Sequence, residues 1–133
     1  MEKITVLVVE DSTLILMDLE TALHDGGFET ISAFSGEDAI SLLEKNPEIR
    51  ALVTDINLKA EVTGWDVARR GRELQPTLPV LYVSSVASSE WAAQGVPKSI
   101  LLGKPFAAAQ ILTAVAQLLN EVDDSSTNPE RKF

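Results

Sequence analysis

Cysteine is absent from the chain, which excludes disulfides, thiolate chemistry and cysteine-ligated zinc and suits a reducing compartment. Histidine occurs once, as His24, at the polar end of an expected helix with no second ligand near it in sequence. A surface residue is expected there, not a metal ligand or phosphodonor. No basic stretch, apolar run and small-residue cleavage site combine at the N-terminus, where Glu2 and Lys3 lead straight into a strand-like segment. The longest apolar region, 100–119, is interrupted by Lys104 and Pro105 and then takes on helical periodicity, so no membrane span is expected. A cytoplasmic protein is the expectation. Basic residues are also scarce: 11 Lys and Arg against 20 Asp and Glu give a net charge of −9, and they are scattered. Direct nucleic-acid binding is not expected from that distribution.

The chain is 133 residues long, a length that fits one domain, so any output activity is expected in another molecule. With 45% hydrophobic and 23% charged residues it can bury a core. Five short β-rich runs alternate with five helical patterns: strands at Ile4–Glu10, Phe28–Ala33, Ala51–Asp55, Val80–Ser84 and Ile100–Leu102. The first, third and fourth are nearly continuous apolar runs, as in parallel strands covered on both faces. Helix one is expected over about Thr13–His24, stopping at Gly26 and Gly27. Helix two follows Ser35, which can cap it with Asp38 three residues on. Helix three begins near Gly64 and ends before Pro76, helix four covers about Ser88–Gln94, and helix five follows Pro105 with an apolar stripe at Ile111, Leu112, Val115, Leu118 and Leu119. Trp65 and Trp91 are expected as anchors against helices three and four. The domain is expected to span 1–121, with residues 122–133 a disordered tail because they offer little to bury.

Open parallel sheets bind ligands beyond the carboxyl ends of their strands, where strand order reverses. Strand one ends in Glu10 and Asp11, strand three in Asp55, strand four in Ser84 and Ser85, and strand five leads to Lys104. Singly, each has a plain reading: Asp11 can be an N-cap, Lys104 a solvated loop residue, and Ser84 and Ser85 caps of helix four. Together they place three carboxylates, hydroxyls and an ammonium at one edge. At an effective dielectric near 20, a like-charged pair about 4 Å apart costs roughly 4 kcal/mol, so the cluster needs a cation. Oxygen-only ligands favour a hard divalent ion such as Mg²⁺.

With these residues the chain resembles the receiver domains of two-component response regulators over roughly residues 3–121. The resemblance implies a CheY-like, flavodoxin-like doubly wound α/β fold, a five-stranded parallel sheet in the order 2-1-3-4-5 with five helices. It implies that Asp55 accepts a phosphoryl group. Asp11, Asp55 and the Asn57 backbone carbonyl would ligate Mg²⁺, with Glu10 acting through water. Ser84 and Lys104 would contact the phosphoryl oxygens, with Ser85 beside them. Implied partners are a sensor histidine kinase or histidine phosphotransfer protein and a downstream protein, and the chain would be a monomer or a weak homodimer through the helix 4 to helix 5 face. It would act on itself alone, catalysing its own phosphorylation and dephosphorylation rather than turning over a substrate. Leu14 and Ile15 would lie beside the phosphodonor or pack in the core.

Several positions depart from the family pattern. Gly64 lies nine residues after Asp55 instead of the usual eight, and the loop between them lacks the usual Met-Pro pair. Leu101 stands where many receivers carry a Tyr or Phe that swings inward on activation, so that switch cannot operate here. Ser85 replaces the usual Ala. A receiver-like module that binds partners without phosphorylation is therefore the competing expectation. A flavin carrier would have its phosphate repelled by Glu10 and Asp11, and a haloacid-dehalogenase-like phosphatase would want a second Asp where Asn57 stands.

Overall fold

The computed structural model describes residues 3–85 and 89–127, with the backbone alone at 123–127. Elements alternate strictly: β1 Thr5–Val9, α1 Thr13–Asp25, β2 Glu29–Ala33, α2 Gly36–Lys45, β3 Ile49–Asp55, α3 Gly64–Leu74, β4 Val80–Ser84, α4 Trp91–Gln94, β5 Ile100–Gly103 and α5 Ala108–Thr127. All five strands run parallel in the order β2-β1-β3-β4-β5, the expected doubly wound fold. Strand order reverses between β1 and β3, so the crevice expected to hold ligands opens beyond Val9 and Asp55.

Side-chain alternation divides each strand between two cores. Leu7, Val9, Leu52 and Tyr82 face one layer with Ala39, Leu43, Val67 and Ala68 of α2 and α3. Val6, Val8, Val53, Leu81 and Val83 face the other, against Leu19 and Leu23 of α1 and Ile111, Val115 and Leu118 of α5. The central strands β1, β3 and β4 are buried on both faces, which is why they read as unbroken apolar runs.

The helix ends follow local chemistry. Ser35 Oγ accepts the Asp38 N–H at 3.2 Å, as expected. Thr63 and Asp66 close a capping box at the start of α3. The chain leaves α1 through Gly27 at φ +92°, a backbone region that glycine enters without steric cost.

Three boundaries differ from expectation by more than one residue. β3 begins two residues early, because Ile49 is buried and pairs with Thr5 across a register shift. α4 is a single turn whose expected start at Ser88 lies outside the described residues. α5 continues to Thr127, so 122–127 is helical backbone where disorder is expected; each residue added to an existing helix gains a backbone hydrogen bond without needing a packing face. Residues 128–133 of the expected tail lie outside the described residues. No helix among the described residues is long and apolar enough to cross a membrane.

Candidate phosphoacceptor and metal site

Glu10 follows β1 directly, and its N–H donates to the Ala33 carbonyl of β2 at 3.1 Å, so the sheet ladder continues one residue beyond the strand. That extension leaves the side chain only 1% exposed. Its Oε2 accepts the Ser12 N–H at 3.0 Å, and its Oε1 accepts from Lys104 Nζ at 2.7 Å. Asp55 ends β3 at 6% exposure. Its Oδ1 accepts the Asn57 N–H at 3.2 Å and its Oδ2 lies 3.3 Å from Lys104 Nζ. Asp11 is half-buried beside them, and one carboxylate oxygen from each of Glu10, Asp11 and Asp55 falls within 4.8 Å of the others.

Gly64 holds the Asp55 turn. Its N–H donates to the Ile56 carbonyl at 2.9 Å, and a Cβ placed on it would lie 2.1 Å from the Asp55 carbonyl oxygen and 2.8 Å from Ile56 Cα. Only a residue without a side chain fits that approach. On the far side, the Lys104 N–H donates to the Ser84 carbonyl at 2.7 Å, tying the end of β4 to the lysine. Ser84 is buried, Ser85 and Asn57 are exposed, and Leu101 is partly buried on β5. His24 is exposed, as expected, and meets Thr30 Oγ1 at 2.9 Å. Leu14 is 77% exposed on α1, whereas Ile15 packs partly against the core.

Burial pushes the Glu10 carboxyl above its ordinary range; the hydrogen bonds from Lys104 and the Ser12 N–H oppose this, and the charge of Asp55 adds to it. Burial alone would lower Lys104, but its hydrogen bond to Glu10 and the charges of Asp55 and Glu10 outweigh that and hold the ammonium above 10.5. The lysine is thus fully charged at neutral pH. The donor set fits a hard divalent cation, since it consists of carboxylate oxygens converging within 4.8 Å with neither sulfur nor imidazole among them. A cavity of about 330 Å³ lies at the opposite end of the strands, bounded by Arg72, Pro79 and Pro97, and does not reach these groups.

Sequence reasoning finds Glu10, Asp11, Asp55 and Lys104, and the structure brings all four together. It misses two features. One is the Lys104–Glu10 ion pair, between residues 94 positions apart, for which the sequence carries no local signal. The other is the close approach of Gly64, whose signal is a small residue following the Thr63 cap.

A parallel doubly wound sheet with a carboxylate cluster and a partly buried lysine at its carboxyl edge defines a class of small α/β domains with an acidic pocket. The model of the response regulator receiver domain matches residues 6–116, and the chain belongs to that family. A response regulator receiver protein from Sinorhizobium medicae is similar in structure, with a TM-score of 0.87 at 45% identity, over 90% of this chain and 96% of that one. The sensor kinase CckA of Brucella abortus is 30% identical over 90% of this chain and 13% of its own length. The transcriptional regulatory protein PrrA of Mycobacterium bovis is 32% identical over 92% of this chain. The chain spans about half the length of PrrA (53%) and a small part of CckA.

Proposed function

We propose that this receiver domain accepts a phosphoryl group on Asp55 from a sensor histidine kinase or histidine phosphotransfer protein, in a Mg²⁺-dependent reaction, and signals through contacts with a downstream protein. The observation that carries the reading is the Asp55 carboxylate, nearly buried within a three-carboxylate cluster, with the Lys104 ammonium 3.3 Å from one of its oxygens.

Asp11, Asp55 and the Asn57 carbonyl would hold the metal, with Glu10 acting through water. When bound, the ion supplies positive charge that offsets the negative oxygens of an incoming phosphate. An Asp55 oxygen attacks phosphorus, the bond from phosphorus to the donor imidazole nitrogen breaks, and that nitrogen keeps the electron pair. Lys104, already between Glu10 and Asp55, holds its proton and offers N–H groups to the transferred oxygens. The Ser84 hydroxyl contacts the new phosphoryl group from the end of β4, and Ser85 borders it. Gly64 keeps Asp55 in register throughout, because the turn has no room to slide past it. The product is an acyl phosphate, labile enough for a switch. The protein acts on itself rather than turning over an external substrate, works in the cytoplasm, and is a monomer or a weak homodimer through the α4 to α5 face.

Leu101 and the extra residue between Asp55 and Gly64 favour a second reading, a receiver-like module that binds partners without being phosphorylated. One experiment separates the two. Purified protein incubated with acetyl phosphate and Mg²⁺ should gain about 80 Da by intact-mass spectrometry, and Asp55→Ala should not. If no divalent cation supports an adduct on the wild type, phosphorylation is excluded and the second reading stands.

A further inference from the structure

Leu101 removes the aromatic switch from β5, yet an aromatic residue lies directly across the sheet from it. Tyr82 of β4 pairs in register with Leu101 and is the largest fully buried side chain described, at 0% exposure. It sits two residues before Ser84, so both project from the same face of the strand. Its hydroxyl oxygen accepts the Val96 N–H at 3.1 Å, just beyond α4. Its ring packs on Trp65, with centroids 4.7 Å apart and planes at 60°. Trp65 in turn follows Gly64, the residue pressed against the Asp55 carbonyl. Ile56, Leu58, Trp65, Tyr82 and Val96 belong to one buried cluster, and Leu101 packs against it. Contact is therefore continuous from the Asp55 turn to the segment after α4.

The turn leading into that segment is lightly held, although Val96 itself is buried. The turn Trp91–Gln94 buries none of its residues. Its ties include Trp91 Nε1 donating to Ser99 Oγ at 2.9 Å and Arg69 Nη2 donating to the Gln94 carbonyl at 3.3 Å. A stretch with few buried contacts is where a small bias can shift a local opening equilibrium.

We propose that Tyr82 carries the state of Asp55 to residues 91–99, its hydroxyl serving as the latch that an aromatic residue at position 101 would otherwise provide. This rests on the phosphoacceptor reading above. When Ser84 is drawn toward a phosphoryl group on Asp55, the end of β4 moves with it and Tyr82 is pulled away from Val96. The Val96 N–H is released and residues 91–99 loosen, a local charge change read out by a two-state element.

Hydrogen–deuterium exchange of peptides covering 91–99, with Mg²⁺ and with or without acetyl phosphate, tests this while intact mass reports the adduct in the same samples. In the wild type, phosphorylation should speed exchange there by about threefold or more. Tyr82→Phe keeps the ring and loses the hydroxyl; it should form the adduct yet exchange fast in both states, with the phosphorylation-dependent difference gone. A purely structural role would raise both rates and preserve that difference. Trp65→Leu, which retains the hydroxyl but removes its support, should blunt the difference and covers the case of a Tyr82→Phe variant that fails to fold. The relay is overturned if either folded variant keeps the full difference, or if the phosphorylated wild type shows none. Absence of any adduct on the wild type instead overturns the phosphoacceptor reading, and the relay with it.

Discussion

Gly64→Ala tests whether the Asp55 turn is held by lack of space. The added Cβ would lie 2.1 Å from the Asp55 carbonyl oxygen, 2.8 Å from Ile56 Cα and 2.9 Å from the Asp55 carbonyl carbon, where ordinary contact begins at 3.4 Å. Backbone must therefore move by about 1 Å. All three atoms are main chain, so no rotamer change relieves the clash. Either the Asp55–Asn57 turn lifts or α3 backs out of its contact through Trp65, and both disturb a filled core. Overpacking of this kind costs about 3 kcal/mol, which for a domain of this size lowers Tm by about 10 °C. If the turn is what moves, Asp55 leaves its place beside Lys104, and an ångström of misplacement costs on the order of 100-fold in rate. Thermal unfolding by circular dichroism gives the first quantity, and the rate of adduct formation with acetyl phosphate the second. Gly103→Ala is the matched control, because a Cβ there meets nothing within 4 Å, and it should leave both nearly unchanged. A Gly64→Ala variant with wild-type Tm and rate would refute the claim that close packing positions Asp55.

Lys104→Ala removes the one cation described between Glu10 and Asp55 and should destabilise the metal-free protein by about 3 kcal/mol at pH 7; Mg²⁺ should recover much of the lost Tm, and no recovery would argue against a cation site. Because the folded-state pKa of Glu10 is raised, the folded protein holds a proton there that the unfolded chain releases, so this contribution is full below the unfolded carboxyl value and is lost as pH rises through the folded one. The Tm of the metal-free wild type relative to Glu10→Gln should therefore rise as pH falls from 7 toward about 4.5, and a difference that shrinks would contradict that direction. Mg²⁺ affinity, measured by calorimetry, should weaken over the same window as protons compete for the carboxylate. Thr63→Ala breaks the capping box of α3 and should cost about 1 kcal/mol in urea unfolding.

The architecture was largely legible because burial on both faces forces β1, β3 and β4 to be continuously apolar, and because the caps at Ser35 and the stop before Pro76 act locally. The candidate site was legible for a topological reason: an alternating β/α order brings the carboxyl ends of all parallel strands to one edge, so Glu10, Asp11, Asp55 and Lys104 converge whatever their loops do. What escaped depends on packing between distant segments. Near Gly64 only a small residue after the Thr63 cap hints that the Asp55 carbonyl lies against it, and nothing near Tyr82 states that its ring meets Trp65 and its hydroxyl Val96.

The Lys104–Glu10 pair shows what such distant contacts add. Three carboxylates against one ammonium leave an excess of two negative charges, an imbalance that a divalent cation cancels. With Asp55 as a carboxylate, Lys104 sits nearer to Glu10, at 2.7 Å, than to Asp55, at 3.3 Å. Phosphorylation would convert the Asp55 carboxylate into a more highly charged group with more acceptor oxygens, so the balance of attraction on the lysine would shift from Glu10 to Asp55. Glu10, 1% exposed, would then lose the ammonium that its Oε1 meets at 2.7 Å. On the proposed function, the ion pair would therefore compete with the phosphoryl group for Lys104. Removing it with Glu10→Gln should free the lysine for Asp55 and lengthen the life of the phosphorylated state, provided the metal still binds; a shorter-lived adduct at saturating Mg²⁺ would show that Glu10 supports the phosphoryl group instead of competing for its lysine.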